Sequence, residues 1–592
     1  MSSLLTKALI ICTYLLTAFI KISAQISYIS PVPNSNFNNP ETNLILKFES
    51  PIENINKLAK AFYIKGENSG FHKYNFKISG IRTLLLNPVS NFKKDETITI
   101  KLIDTIELEN NNEILPFQFE FTTSKNQVYE NNSISEFTNN NSRNKHVTDN
   151  FPSITISIND NPAPGKIFFY NASDMASNND RFLAIIDNYG IPEYKRQENE
   201  IGLGFTLQPS GYLSFWNDQN FVLMDSSYNI IDTIGCGNGY SADFHDFIHL
   251  PNGHSILLAW NVQKIDMSKI VENGNNDADV QGLIIQELDE NENVIFQWRS
   301  WDHFEITDAE DIDFTAPYVS YVHGNAIDIA NDGNILLSSR VMNEITKIDR
   351  NTGEIIWRLG GKNNQFTYIN DPDMFCRQHH IQQIANGNIT LYDNGSCHEP
   401  RVSKAKEYKL DIANKTVELI WEYKHPKEMY CSTMGSVQRL DNGNTFITWG
   451  MIDNNDYPEI TEVRPDKTIA FELYFDTFFH LLYRSFRFVW ENDIVNSLYN
   501  ETPLNNNNNE ITIYPNPVND FLQIEFNLIN NVNSLLKIHD INGNLIYQSS
   551  FHKLLSKKSR LTVDVRSFVE GIYFIELENK DHPIVKKFVI TR

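Results

Sequence analysis

Residues 325–340 read NAIDIANDGNILLSSR, and the same arrangement occurs three more times along the chain. The other copies are HDFIHLPNGHSILLAW at 245–260, HHIQQIANGNITLYDN at 379–394 and GSVQRLDNGNTFITWG at 435–450. Each copy has an apolar alternating run, an Asn-Gly or Asp-Gly pair and a second apolar run. Such pairs accept the positive φ angles of tight hairpin turns. Each copy therefore predicts a β-hairpin.

The hairpins recur at a spacing that is typical of a β-propeller. Their turn glycines are Gly253, Gly333, Gly387 and Gly443, which lie 80, 54 and 56 residues apart by subtraction. The 80-residue gap is expected to hold an insertion around 266–320. One four-stranded unit per ~40 to 55 residues is the period of a propeller blade. We therefore predict an all-β fold that contains a six-bladed propeller, with a stacked β-sandwich as the alternative.

Composition and alternation divide the rest of the chain. Strands alternate before and after the propeller, and Asn-rich segments separate them from it. The predicted parts are a signal peptide 1–24, an N-terminal Ig-like β-sandwich 25–124, a linker 125–150, the propeller 151–497, a linker 498–511 and a small C-terminal β-sandwich 512–592. The first blade is expected near 165–200 and the last near 458–490.

The first residues are typical of a secretory signal peptide. Lys7 precedes an apolar run, and the small residues Ser23 and Ala24 follow it. A single membrane anchor is the alternative interpretation of this run. No later stretch is long and apolar enough to cross a bilayer. We therefore expect an exported chain with no transmembrane segment in its mature form.

Charge and cysteine content narrow the function further. The formal net charge of −24 opposes contact with nucleic acid, because it would repel the phosphates. Four cysteines remain after the signal peptide: Cys236, Cys376, Cys397 and Cys431. An even number in an exported chain predicts disulfides, with the pairing open and free thiols as the alternative. No CxxC spacing indicates a structural zinc site.

The repeat frame places distant histidines at equivalent positions. Counting eight residues back from the turn glycines reaches His245, Asn325 and His379. His323 lies two residues before Asn325 and should share its face of the strand. His380 should point to the opposite face from His379, because successive side chains of a strand alternate.

Counting seven residues forward from the turn glycines reaches Arg340 and Asn394. Hairpin pairing should place these residues beside the histidines. In a propeller the innermost strands surround a channel, so the histidines and Arg340 are expected to form a ring at one mouth. The alternative is that each histidine merely caps a strand through backbone hydrogen bonds.

A ring of three histidines and an arginine favours an anionic ligand. Three histidines could bind zinc, but the fixed positive charge of Arg340 disfavours a second cation, and we expect no metal. A neutral histidine can act as a nucleophile near neutral pH, while arginine and protonated histidine hold oxygens of a sulfur or phosphorus centre.

Several segments together resemble the bacterial arylsulfotransferases, over about residues 160–490. They are HDFIHLPNGHSILLAW, HGNAIDIANDGNILLSSR, ITKIDRNTGEIIWRLGG, QHHIQQIANGNITLYDNG and GSVQRLDNGNTFITWG. The resemblance implies a six-bladed propeller with an N-terminal β domain. It also implies PAPS-independent transfer of a sulfuryl group from an aryl sulfate to a phenolic acceptor, by a ping-pong route through a sulfohistidine and without a cofactor.

The resemblance assigns roles to residues of this chain. His379, which follows Gln378, is the implied nucleophile, and His245, His323 and Arg340 complete the implied catalytic set. Predicted substrate-binding residues are Asn325, Asn394 and His380. His380 stands where the family usually has a small or hydroxyl residue. One of the neighbouring histidines, His323 or His245, would protonate the leaving phenoxide.

Residues 512–592 resemble the C-terminal sorting domain of type IX secretion cargo. The matching features are YPNPVNDFLQI, IHDINGNLIY, GIYFIEL and KKFVITR. The resemblance implies export through the type IX machinery and a secreted or outer-surface location. Two other functions stay open: a non-catalytic surface-binding propeller and an aryl sulfate hydrolase.

Overall fold

The structure is a computed structural model, and it describes most of the chain. The described residues are 25–53, 55–125, 151–172, 181–198, 202–452, 456–476, 481–490 and 511–591, the last range without 515, 520, 527–533, 542–543, 552–558, 567 and 578–583. The predicted signal peptide 1–24 and nearly all of both predicted linkers lie outside these residues. Among the described residues, no helix has the length and apolar character that crossing a membrane requires. The chain divides into two compact units, residues 1–490 and 491–592.

The N-terminal strands form two facing sheets. Strands β1 to β10 are Ile26–Ser30, Leu44–Phe48, Phe62–Gly66, Gly70–His72, Tyr74–Ser79, Thr83–Pro88, Thr97–Leu102, Ile106–Leu108, Asn112–Ile114 and Gln118–Thr122. One sheet has the order β1-β2-β6-β5 and the other β10-β7-β3-β4, while β8 and β9 pair separately. In β7 the alternation buries Ile98, Ile100 and Leu102 between the sheets, which is the expected result of a period of two.

The middle of the chain is built from short antiparallel strands. Strands β11 to β37 are Ile154–Asn159, Lys166–Ala172, Phe182–Ile186, Pro192–Gln197, Thr206–Leu207, Leu213–Asn217, Asn220–Met224, Ile230–Ile234, Ala242–His249, Ser255–Ile265, Ala278–Leu288, Val294–Arg299, Tyr318–Ser320, Gly324–Ile329, Ile335–Ser339, Glu344–Ile348, Ile355–Gly360, Thr367–Ile369, His379–Gln383, Ile389–Asp393, Lys404–Asp411, Thr416–Tyr423, Ser436–Arg439, Thr445–Thr448, Ile460–Val463, Ile469–Phe475 and Leu481–Phe488. The 3₁₀ helices of the described residues are Ile55–Lys60, Glu109–Asn111, Met267–Lys269, Ser300–Asp302, Ile306–Asp308 and Arg340–Met342.

The described part of 154–488 folds into six consecutive sheets. Their orders are β14-β13-β12-β37, β15-β16-β17-β18, β19-β20-β21-β22 with β23 beside β21, β24-β25-β26-β27, β28-β32-β31-β30-β29 and β11-β36-β35-β34-β33. The edge strands β19, β24, β29, β33, β37 and β15 contact one another in that order. We call them the inner strands. The prediction of an all-β chain with a propeller-like architecture is confirmed.

The four repeated hairpins lie at these inner strands. Their turn glycines have φ angles of 85°, 83°, 89° and 87°, for Gly253, Gly333, Gly387 and Gly443. A residue with a Cβ rarely adopts this left-handed region, which is why the turns carry glycine. Each turn joins an inner strand to the next strand of the same sheet.

The ends of the middle region interlock, which the sequence did not predict. Strand β37, expected in the last sheet, instead pairs with β12 of the first sheet. Strand β11 pairs with β36 of the last sheet. In an open ring the N–H and C=O groups of the terminal strands would be unpaired and exposed to solvent. They form backbone hydrogen bonds here because the two ends of the middle region meet.

The N-terminal sandwich shares a core with the middle region in the same compact unit. Tyr28, Ile45 and Leu85 pack in one apolar cluster with Phe296. The Tyr28 hydroxyl donates to the Gln297 carbonyl at 2.7 Å.

The second unit is described by itself. Strands β38 to β44 are Ile511–Tyr514, Phe521–Phe526, Ser534–Asp540, Leu545–Phe551, Ser559–Asp564, Gly571–Leu577 and Ile584–Ile590. They form sheets of order β38-β39-β42 and β41-β40-β43-β44 around a small apolar core.

Candidate active site

The three predicted histidines lie in or next to inner strands, Arg340 follows β25, and the four residues meet in space. His245 is in β19, His379 opens β29 and His323 immediately precedes β24. The ring centroids of His245 and His323 are 5.0 Å apart. The Arg340 amide donates to the His323 carbonyl at 3.0 Å. His379 is close enough to Arg340 and His245 for their charges to lower its pKa. The structure thus brings all four side chains together.

The proton of His379 is on Nδ1. Asn394 Nδ2 donates to the backbone carbonyls of Cys431 and Met434, at 2.8 and 3.1 Å, so the side-chain oxygen faces His379. His379 Nδ1 lies 2.7 Å from this oxygen and 3.2 Å from the Arg377 carbonyl. Both partners only accept hydrogen bonds, so Nδ1 must donate. The lone pair is therefore on Nε2, which accepts from the Met434 amide at 3.3 Å.

His379 is neutral. Burial lowers its pKa well below the usual value of 6.5, and the positive charge of Arg340 lowers it further. His323 shows the same direction, because burial and the nearby His245 and Arg340 disfavour a second charge. Near neutral pH His379 and His323 are thus uncharged imidazoles next to the fixed cation of Arg340.

His245 has a carboxylate partner that His379 lacks. Its Nδ1 lies 2.8 Å from an oxygen of Asp243, and both side chains are buried. Phe244 stacks on the His245 ring with centroids 4.1 Å apart. A carboxylate on Nδ1 fixes the ring and stabilises positive charge on it while it holds a second proton.

Arg340 carries donors with no acceptor in the described residues. Its Nη2 reaches the Ser432 carbonyl at 3.3 Å, while the buried Nε has no hydrogen-bond partner there. Burial and the charge of Arg377 lower the pKa of Arg340 to about 10, so it remains protonated. A buried guanidinium with an unsatisfied N–H group is suited to an anionic ligand.

Asn325 positions the strand that begins with His379. Its Nδ2 donates to the Gln378 carbonyl at 2.8 Å, and its own carbonyl accepts from Arg484 and Tyr483. Its Oδ1 is buried and has no partner among the described residues. Asn394, by contrast, uses every polar group of its side chain within the chain. Its contacts make it a positioning residue for His379.

His380 lies on a different side of its strand from His379. Its Nδ1 is within hydrogen-bond distance of the Val437 backbone, and its ring contacts Phe486. His380 lines a cavity of about 550 Å³ that continues along the inner strands past the ring. His245 also lines this cavity, whereas His379, His323 and Arg340 do not. The predicted role of His380 in substrate binding thus remains a prediction with no contact to the other ring residues in its favour.

Three titratable residues near the site were missed by the sequence reasoning. Asp243 precedes His245 by two positions, and this spacing was the available signal. Arg377 precedes His379 by two positions, and its positive charge lowers the pKa values of Arg340 and His323. Tyr430 lies near Arg340 and Arg377, and its position relative to the turn glycines did not point to it.

Trp260 adds an aromatic surface to the site. It occupies the repeat position of Arg340 and Asn394, seven residues after its turn glycine, and this frame position was its signal. Its ring centroid is 5.5 Å from that of His245 and 6.4 Å from that of His323.

A disulfide and a buried ion cluster brace the His379 hairpin. Cys376 and Cys397 form a disulfide, while Cys236 and Cys431 are not disulfide-bonded. Asp393, next to Asn394, accepts from the Cys376 amide at 2.9 Å, and its other oxygen lies 3.2 Å from the buried Lys406 ammonium. Among the described residues, no group of three His, Cys, Asp or Glu side chains is arranged to hold a metal.

Comparisons with known proteins identify two families. Residues 153–484 match the arylsulfotransferase (ASST) family, and residues 512–591 match the secretion system C-terminal sorting domain. The latter indicates export by type IX secretion to the cell surface or outside. No curated protein sequence matches the chain.

Several solved structures are distantly similar. One is a protein of unknown function from Bacteroides caccae, with 12% identity over 54% of this chain and 98% of that chain and a TM-score of 0.36. A catalytically inactive virginiamycin B lyase from Staphylococcus aureus with quinupristin has 9% identity over 54% and 88%, with a TM-score of 0.29. A streptogramin B lyase has 10% identity over 54% and 87%, with a TM-score of 0.30. These values are too low to support an argument about function. The family match spans more than half of the chain, so this protein belongs to the arylsulfotransferase family.

Proposed function

We propose that the protein transfers a sulfuryl group from an aryl sulfate to a phenolic acceptor, without PAPS, through a covalent intermediate on Nε2 of His379. One observation carries the proposal. Asn394 holds the proton on Nδ1 of His379, which leaves the lone pair on Nε2. There it accepts only a long hydrogen bond of 3.3 Å from the Met434 amide, which an incoming sulfate ester can replace, and the charge of Arg340 acts nearby.

In the first step Nε2 attacks the sulfur of the donor. The Nε2–S bond forms, the bond between sulfur and the aryl oxygen breaks, and the electron pair stays on the phenoxide. His245 gives its proton to that oxygen, with Asp243 stabilising the charged ring. Arg340 and the Met434 amide supply donors to the sulfuryl oxygens, where pre-positioned groups are most effective.

The partner of His379 suits a transient intermediate. Sulfuryl transfer to Nε2 makes the ring an imidazolium while Nδ1 keeps its proton. An amide oxygen such as Oδ1 of Asn394 accepts that hydrogen bond without taking the proton. The ring therefore stays charged and leaves sulfur readily in the second step. In that step the acceptor oxygen attacks sulfur, His245 takes the phenolic proton and the electron pair returns to Nε2.

Two features support an aryl substrate. Trp260 is half-buried next to His245 and His323, where its face can contact a phenol ring. Asn325 presents a buried oxygen without a partner in the described part of the chain, which can accept from an acceptor hydroxyl.

Intact-mass analysis tests the proposal. After mixing with p-nitrophenyl sulfate and rapid quenching, the peptide that contains His379 should gain one SO₃. His379→Ala should abolish both the adduct and acceptor-dependent turnover. His249 is a buried histidine that bonds Ser255 and not the catalytic residues. His249→Gln should therefore retain both the adduct and the turnover.

The acceptor dependence separates the alternatives. A transferase releases nitrophenol continuously only when a second phenol is present, whereas a hydrolase does so in water alone. A binding propeller releases none. Continuous release of nitrophenol by the His379→Ala variant would refute the assignment of the nucleophile.

A further inference from the structure

The site holds two guanidinium groups with unpaired N–H donors, and one sulfate ester requires only one. A sulfate monoester carries a single negative charge, and Arg340 is placed to meet it. Arg377 is a second arginine near the nucleophile: its backbone carbonyl lies 3.2 Å from Nδ1 of His379, and its guanidinium is close enough to lower the pKa values of Arg340 and His323. Its Nη2 donates to the Glu310 and Asp311 carbonyls, at 3.4 and 2.7 Å. Within the described residues its Nε and Nη1 have no hydrogen-bond partner.

No carboxylate pairs with Arg377 in the described part of the chain. Glu310 and Asp311 attract its charge, but neither carboxylate lies within ion-pair distance. Asn343 donates to the Glu310 carboxylate at 2.8 Å and holds it in place. Arg377 also lowers the pKa of Arg340, so its guanidinium and that of Arg340 share one environment.

Tyr430 and Arg401 extend this positive region towards solvent. The Arg401 guanidinium lies 5.7 Å from the centroid of the Tyr430 ring. The Tyr430 hydroxyl donates to Ser396 at 3.2 Å, which fixes the ring. Arg401 is exposed and forms no ion pair with a described residue. The whole chain has a net charge of −24, but Arg377 and Arg401, on either side of Tyr430, make this part of the surface locally positive. A locally positive surface attracts anions. We call these three residues the arginine mouth.

We propose that the preferred donors are aryl sulfates whose ring carries a second anionic group, and that the arginine mouth binds that group. The sulfuryl end would reach Arg340 and His379, and the far end of the ring would place a carboxylate or sulfonate against the free N–H groups of Arg377. This inference rests on the sulfuryl transfer proposed above and adds the substrate class to it.

A matched pair of donors tests the proposal. Para-carboxyphenyl sulfate and para-carbamoylphenyl sulfate have the same shape and differ by one charge. The ratio of their kcat/KM values, carboxylate over amide, should be about tenfold in the wild type, because one charge-assisted hydrogen bond is gained. Arg377→Met should bring the ratio close to one. Arg196→Met, which removes an arginine from β14 that pairs with Glu198, should leave the ratio at its wild-type value.

Using a ratio makes the test independent of any general loss of activity in the variant. A wild-type ratio of one or less, or an unchanged ratio in Arg377→Met, would overturn the proposal. Calorimetric binding of both esters to the wild type and to Arg377→Met separates this result from the chemistry. Preferential binding of the carboxylate that is lost in Arg377→Met, without turnover, would support the arginine mouth and refute the transferase. Turnover of both esters without a preference for the carboxylate would support the transferase and refute the arginine mouth.

Discussion

Replacing Asn394 with alanine should slow the proposed sulfuryl transfer by changing the position of the proton on His379. In the wild type the amide oxygen of Asn394 is the closest acceptor for Nδ1 of His379, at 2.7 Å. In the variant only the Arg377 carbonyl at 3.2 Å remains. A buried hydrogen bond contributes about 1–1.5 kcal/mol, so its loss shifts the tautomer balance roughly tenfold towards a proton on Nε2. That proton blocks the reacting lone pair.

Loss of ring orientation should increase the effect of the tautomer shift, and we expect kcat/KM to fall by roughly 10- to 100-fold. Stability should also fall, because the Met434 carbonyl loses its side-chain donor and the Cys431 carbonyl keeps only the Ser403 hydroxyl at 3.3 Å. One buried carbonyl left without a partner costs about 1–3 kcal/mol. Thermal unfolding monitored by circular dichroism would measure this loss separately from turnover of p-nitrophenyl sulfate.

The control removes a half-buried amide that does not touch His379. Gln438 bridges the Arg487 backbone through both of its amide atoms, at 2.9 and 2.8 Å. Gln438→Ala should therefore lose stability and keep the tautomer of His379. Heteronuclear NMR of the imidazole nitrogens reports the tautomer directly. A folded Asn394→Ala protein with wild-type kcat/KM and an unchanged nitrogen spectrum would refute the reasoning.

Three further changes have clear expected results. Arg340→Ala should reduce kcat with p-nitrophenyl sulfate roughly 100- to 1,000-fold, as for the loss of one oxyanion donor, and full activity would contradict its role. Cys376→Ala together with Cys397→Ala should lower the free energy of unfolding by about 3 kcal/mol, because a disulfide with a sequence separation of 21 constrains the unfolded chain; an unchanged urea midpoint would argue against this. Burial raises the pKa of Glu459 to about 8, so the folded state keeps a proton that the unfolded chain loses above its usual pKa of 4.5. The wild type should lose stability as the pH rises from about 5 to about 8, and Glu459→Gln should lose up to about 5 kcal/mol less, as measured by urea titration at each pH.

Counting from the turn glycines predicted that the three histidines and Arg340 lie together, because this count uses only residues that are close along the chain. An Asn-Gly turn fixes a hairpin, and the distance of a residue from that turn fixes its height along the strand. His245 and His379 therefore reach the same mouth although they are far apart in the chain. The same logic would have identified Trp260, which has the frame position of Arg340 and Asn394.

Strand alternation predicted that His379 and His380 point to opposite faces, but β29 is not a regular strand at these residues. His379 faces Tyr392 and Gln382 faces Thr390, so β29 has one more residue than β30 in this interval. His380 has a φ of 53°, which a regular strand does not have. A β-bulge here redirects the side chains, and no feature of the sequence marks it.

By itself the sequence determined the hairpins, their period and the heights at which the histidines and Arg340 meet, because these depend on contacts between residues close along the chain. Only the tertiary structure decided that β37 closes the first sheet, that Cys376 pairs with Cys397, and that Asn394 rather than a carboxylate holds Nδ1 of His379. These outcomes depend on ångström-scale distances between segments that are remote in sequence, and such distances are set by the packing of the whole ring.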